Sequence, residues 1–91
     1  MTTAIVMLKV DRERINEAGE KLSSMKGITE VYSITGKYDL CAIIRVKDSE
    51  ALAELVTEKM LKVKGITDSE THMAFRVYSK HDLEGMFEVG S

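Results

Sequence analysis

Apolar residues run almost unbroken from Ala4 to Val10 (AIVMLKV) and again from Leu40 to Val46 (LCAIIRV), each run short enough for a strand. Between them the pattern changes period. Ile15, Ala18, Leu22 and Met25 recur at helical spacing with charged residues in the gaps, and Asp11 stands where an N-cap is needed. Gly27 is the C′ candidate, followed by apolar Ile28 as a Schellman ending prefers. A more polar, alternating run from Ile28 to Thr35 predicts a second strand. After LCAIIRV, Asp48 or Ser49 caps a helix whose stripe is Leu52, Leu55, Val56, Met60 and Val63. Gly65 ends it, and Ile66 opens a last strand expected to run to about Tyr78. The order is βαββαβ.

The two halves echo each other: Lys26-Gly27-Ile28-Thr29 recurs as Lys64-Gly65-Ile66-Thr67, 38 residues on. Two βαβ units with right-handed crossovers predict an α+β, ferredoxin-like sandwich, with an antiparallel sheet ordered 4-1-3-2 and two helices on one face. The polarity agrees with that order. The apolar first and third strands would be central, and the edge strands carry Thr29, Glu30, Thr67, Asp68, Ser69 and Glu70. Two helices cover only one face of such a sheet, yet AIVML and LCAII place apolar side chains on both. Met73, Phe75 and Val77 would add to one face, Ala74 and Tyr78 to the other. The open patch would reach roughly several hundred Å2, more than monomers usually expose. A second copy packed sheet to sheet about a two-fold axis is the simplest cover. The tail KHDLEGMFEVG, with Leu83, Met86 and Phe87, is long enough to reach over that partner.

Composition narrows the picture without redirecting it. The chain of 91 residues is expected to be a single domain spanning 1–91 with a tail at 80–91. Net charge is −2 with no visible basic stripe, so direct nucleic-acid binding is not expected. The single Cys41 sits in an apolar run and reads as a buried, inert thiol of a reducing compartment. The start MTTAIVMLKVD has no signal-peptide character, and no run is long enough to span a membrane. A cytoplasmic protein without cofactor is expected.

Chemistry is sparse. Neither His72 nor His81 is near Cys41 in sequence, no HxH, HExxH or CxxC spacing offers a metal site, and paired aromatics for base stacking are missing. No catalytic residues are assigned and no enzyme is expected. The turn GKYD between strands two and three differs in kind. Gly36 can take positive φ and gather backbone N–H groups into an anion cradle. Asp39 can accept from an ammonium, and Tyr38 can lie over an aliphatic stem. Anion cradle, carboxylate and wall are what a free α-amino acid needs, and SETH (Ser69 to His72) could complete the site across a subunit contact. The same residues also read as a plain hairpin with an exposed tyrosine.

GKYDL after the second strand, AFRVYS (Ala74 to Ser79) at the end of the fourth and the HDLE that follows resemble the effector-binding, or RAM, domain of the Lrp/AsnC transcriptional regulators. The resemblance covers about Thr3 to Val89. It implies sheet-to-sheet dimers assembled into rings, commonly octamers, with a free amino acid bound between dimers near the turn. Carried over by position, Gly36, Tyr38, Asp39 and the following Leu40 match the turn that shapes the effector pocket, and Thr71 matches a position facing the effector. One departure is large: the first strand starts within a few residues of Met1, with no helix-turn-helix segment ahead of it. The resemblance is therefore to stand-alone RAM proteins, which sense an amino acid alone or by assembling with full-length Lrp/AsnC regulators. Two other readings compete. One is a small dimeric enzyme of monooxygenase type, with substrate between sheet and helices and only His72 and Tyr32 to build its site. The other is an assembly module without ligand. An ACT domain would need a glycine turn after strand one, where this chain has KVDRER.

Overall fold

The computed structural model describes residues 1–78. Its elements are β1 (Thr2–Val10), α1 (Ile15–Ser23), β2 (Ile28–Ser33), β3 (Leu40–Val46), α2 (Ser49–Glu54) and β4 (Ile66–Met73). A 3-10 turn at Arg12–Arg14 leads into α1; α2 continues through a π-helical segment, Leu55–Lys59, and a 3-10 turn, Met60–Lys62. The four strands form one antiparallel sheet in the order β2-β3-β1-β4, the predicted ferredoxin-like arrangement.

Strand alternation divides β1 and β3 cleanly. Ala4, Val6, Leu8 and Val10, with Leu40, Ala42 and Ile44, face the helices and are buried against Ala18 and Leu22 of α1 and Leu52, Leu55, Val56 and Met60 of the second helical stretch. Leu8, Leu22, Ile44, Met60 and Val6 are the largest wholly enclosed side chains. Each contributes about 1.5–3 kcal/mol of burial. On the other face Ile5 and Met7 lie beside Ile43 and Cys41 through the pairs Ile5↔Ile43 and Met7↔Cys41. Polar side chains flank this strip, with Glu30 and Tyr32 on β2 and Asp68, Glu70 and His72 on β4.

Several local expectations change. Asp11 makes no side-chain cap; its N–H donates to the Gly65 carbonyl at 2.8 Å, its carbonyl accepts from Arg14 N–H, and α1 starts only at Ile15. Asp48 does cap, its carboxylate accepting from Ala51 N–H at 2.8 Å. β2 stops at Ser33 rather than Thr35, with the hairpin closed by one further in-register bond, from Ile34 N–H to the Asp39 carbonyl at 3.0 Å. β4 stops at Met73 rather than Tyr78. With Met73 opposite Ala4, β1 has little strand left to pair beyond the bond from Ala74 N–H to the Thr3 carbonyl. Phe75, Val77 and Tyr78 therefore belong to no sheet face and are exposed, and Met73 shares the helix-side parity of Ala4. Cys41 is half-buried on the open face, not in the core. The tail anchors Leu83, Met86 and Phe87, and His81, lie outside the described residues.

Candidate functional site at the 36–39 turn

The turn is held to the sheet by the strand it overhangs. The β1–β3 ladder ends at Leu8↔Leu40. One step further, Asp39 N–H donates to the Leu8 carbonyl at 2.9 Å, and Asp39 Oδ2 accepts from Val10 N–H at 2.8 Å. The carboxylate thus stands in for the carbonyl that β3 would have supplied had it continued, and satisfies a part-buried donor. Lys9 Nζ donates to the Lys37 carbonyl at 3.2 Å, a second tie from β1. Gly36 has φ +104°, with no atom within 4 Å of where a Cβ would stand, so backbone conformation and not space demands glycine there. The N–H groups of Gly36, Lys37 and Tyr38 find no backbone acceptor among the described residues.

Tyr38 is half-buried, with Lys37 Nζ 5.8 Å from its ring centroid. Desolvation pushes its hydroxyl above the ordinary tyrosine range, and the nearby Glu70 carboxylate and then Asp68 push it further. Glu70 and Asp68 are the open-face residues of β4 opposite Met7 and Lys9. Glu70 also approaches His72, Nε2 to Oε1 at 3.6 Å. Tyr38 and Lys37 thus stand at the end of the open face that carries the Glu70 and Asp68 carboxylates, beside backbone N–H groups that have no backbone acceptor among the described residues. That set can accept from an ammonium and donate to a carboxylate at the same time.

Of the residues singled out in the sequence, Gly36, Tyr38 and Asp39 come together at this turn. Leu40 is buried at 2% exposure beneath α1, its Cδ2 3.9 Å from where a Cβ on Gly19 would be. Thr71 pairs with Val6 and so projects to the side of β4 opposite Glu70. The sequence alone assigns neither Glu70 nor Asp68 to the site. Glu70 stands in the SETH stretch, but only the strand register tells which of its residues lie on the open face.

The other sequence-based candidates do not converge. Tyr32 donates to Glu30 Oε2 at 2.6 Å on β2, while His72 is on β4, three strand spacings or about 14 Å across the sheet. Both are on the open face, whereas the groove between α1 and the sheet, about 250 Å3, is lined by Ile15, Asn16, Gly19, Val31, Ser33 and Leu40 among others, with no histidine or tyrosine. Among the described residues no three His, Cys, Asp or Glu side chains group as metal ligands. No helix among them is long and apolar enough to cross a membrane.

The four-stranded antiparallel sheet with two helical stretches packed on one face makes this an α+β, ferredoxin-like domain. Residues 3–83 match the family described as the Lrp/AsnC ligand binding domain, and the chain belongs to that family. The HTH-type transcriptional regulator YugG of Bacillus subtilis is 30% identical over 97% of this chain and 54% of its own length. The chain spans about half the length of the curated relatives it matches. Among solved structures, TTHA0845 of Thermus thermophilus is 40% identical with a TM-score of 0.82, over 88% of this chain and 100% of that one. The feast or famine regulatory protein Rv3291c of M. tuberculosis, complexed with L-methionine, shares the fold at a TM-score of 0.75 and 18% identity, over 88% of this chain and 54% of that one.

Proposed function

We propose that the chain is a non-catalytic sensing module of the cytoplasm that binds a free amino acid at the 36–39 turn and works as an oligomer. The observation that carries this reading is the placement of the 36–39 turn, tied to Leu8, Lys9 and Val10, at the end of the open face that carries Glu70 and Asp68, where the N–H groups of Gly36 and Lys37 have no backbone acceptor among the described residues. Glu70 and Asp68 receive the ammonium, the turn N–H groups and Lys37 receive the carboxylate, and the Tyr38 ring walls the aliphatic part. Asp39 builds the turn, since one of its oxygens is already engaged by Val10 N–H. Membership of a ligand-binding family supports the same reading, as does the L-methionine held by a protein of the same fold.

The open strip of Ile5, Met7, Cys41 and Ile43 is covered by a second copy, sheet against sheet. Dimers then meet near the turns, with an octameric ring the expected closure, and Thr71, exposed on β4, reaches a neighbour's site. Relatives named as transcriptional regulators make full-length Lrp/AsnC regulators the natural partners. The ligand can shift such an assembly only if it binds one state more tightly.

Thermal unfolding against the twenty amino acids at millimolar concentration tests this. A ligand at one hundred times its dissociation constant adds about 2.7 kcal/mol, or roughly 10 °C for a domain of this size. Stabilisation by a few related amino acids, lost in Tyr38→Ala, is expected. No stabilisation by any of them would leave the turn a structural device and the protein an assembly module.

A further inference from the structure

A second hollow opens at the far end of the sheet, where β3 ends and β2 begins. Its floor is Gly27, Val46, Ala51 and Leu55, and Lys26, Lys47 and Lys59 stand around it with Arg45 and Glu54. The volume is about 510 Å3, within the range of sites that enclose a small organic ligand and about twice the groove beside α1. It is separate from the turn site. The turn bonds to Leu8 and Val10, whereas Val46 pairs with Thr2, six β1 residues or on the order of 20 Å away.

Three features of the hollow are built in. Gly27 leaves its floor open: a Cβ there would stand 2.9 Å from Val46 Cγ1 and 3.2 Å from Leu55 Cδ2. The backbone beneath is fixed by the bond from Arg45 N–H to the Gly27 carbonyl at 2.8 Å. The π-helical segment supplies both a wall, through Leu55, and a rim cation, through Lys59, and such wide turns recur at functional sites. Lysines near helix ends often do no more than offset the helix dipole. Here, however, cations from three separate segments converge on one apolar hollow. Among the described residues none of Lys26, Arg45, Lys47 and Lys59 forms an ion pair, the pairs being Arg14–Glu17, Lys62–Glu58 and His72–Glu70.

We infer that this hollow binds an amphipathic organic anion, with its apolar body on Gly27, Val46, Ala51 and Leu55 and its acidic head among Lys26, Lys47 and Lys59. An apolar floor alone would accept any greasy surface; the ring of cations selects an acidic head group by charge complementarity. Such a ligand is larger and more apolar than the amino acid assigned to the turn, so the two sites take different molecules.

The test uses 8-anilinonaphthalene-1-sulfonate as fluorescent probe on the full chain, with decanoate and decanol as competitors. The expected result is one dye per chain, displaced by decanoate at least tenfold more effectively than by decanol. Dye affinity should fall at least tenfold in Lys59→Glu and in Ala51→Trp, which fills the hollow. Thermal melts of both variants in the absence of dye establish that they fold; should Ala51→Trp fail to fold, Lys26→Glu takes its place. Dye binding indifferent to these substitutions would put the dye on the open sheet face and overturn the inference. Equal competition by decanol, no competition by decanoate, or no dye binding would overturn it as well.

Discussion

Asp39→Ala removes the acceptor of a 2.8 Å hydrogen bond from the part-buried Val10 N–H and leaves that donor at the end of β1 with no replacement from β3. A hydrogen bond to a charged group is worth about 1.5–3 kcal/mol. Water can reach the turn and recover part of that, so the expected loss is about 2 kcal/mol at the lower end of the range. In a domain of 60–100 residues each kcal/mol moves Tm by about 4–8 °C, which gives a drop of roughly 8–16 °C. Asp39→Asn keeps an acceptor oxygen without its charge and should lose about half as much. Calorimetry gives the Tm values, and amide hydrogen exchange reads the site itself: the Val10 amide should lose protection in Asp39→Ala while Val6, in mid-strand, keeps it. A Tm within about 2 °C of the parent, with Val10 still protected, would refute the account of Asp39 as a surrogate for a missing strand carbonyl.

Gly36→Ala carries only the backbone penalty of its positive φ, about 1 kcal/mol, whereas Gly27→Ala adds a clash with Val46 and Leu55 and should cost about 1–3 kcal/mol more; urea midpoints in the reverse order would contradict this. Burial raises the Cys41 thiol above its ordinary range, so its contribution is complete below the unfolded thiol pKa and is lost as pH rises through the folded one. Stability of the parent should therefore fall above about pH 8.5 more steeply than that of Cys41→Ala, as measured by urea midpoints; equal slopes would count against it. The raised hydroxyls of Tyr32, hydrogen-bonded to Glu30, and of Tyr38 act in the same direction at higher pH. Ile5→Glu puts a charge into the proposed sheet-to-sheet contact, at a cost of about 3 kcal/mol or more. It should turn dimers into monomers in sedimentation; an unchanged distribution would place the dimer contact elsewhere.

Topology was legible because it rests on redundant signals. The doubled KGIT motif, the unbroken apolar runs of β1 and β3 and the polar edges all point to one strand order. Some boundaries were legible too: β3 at Leu40–Val46 and the starts of β2 at Ile28 and β4 at Ile66 lie where the apolar runs and the glycines before them put them, and Asp48 caps as expected; Asp11, of the same residue type, is claimed through its backbone by Gly65 and caps nothing. The end of β4 depends on where β1 begins, a tertiary fact, so the apolar pattern of Met73, Phe75 and Val77 overran it. At the turn, Gly36, Tyr38 and Asp39 were visible as residue types with chemistry. The proximity of Glu70, the projection of Thr71 to the other face and the burial of Leu40 follow from register and the direction of the pleat, which one sequence does not display.

The wide turn at Leu55–Lys59 has a consequence for the phase of the second helix. At about 100° per residue, an unbroken α-helix would bring Lys59 to within about 20° of Leu52 and leave Met60 about 80° away. The i→i+5 turn delays the rotation by one residue. Met60 is accordingly the wholly buried residue, and Lys59 is exposed. The segment therefore behaves as a regular helix with a single residue spliced in. A chain shortened by one residue here has a continuous α-helix open to it, with the methionine still beneath the sheet. Loss of that one residue should leave the core indifferent and show itself only on the outside, where Lys59 stands.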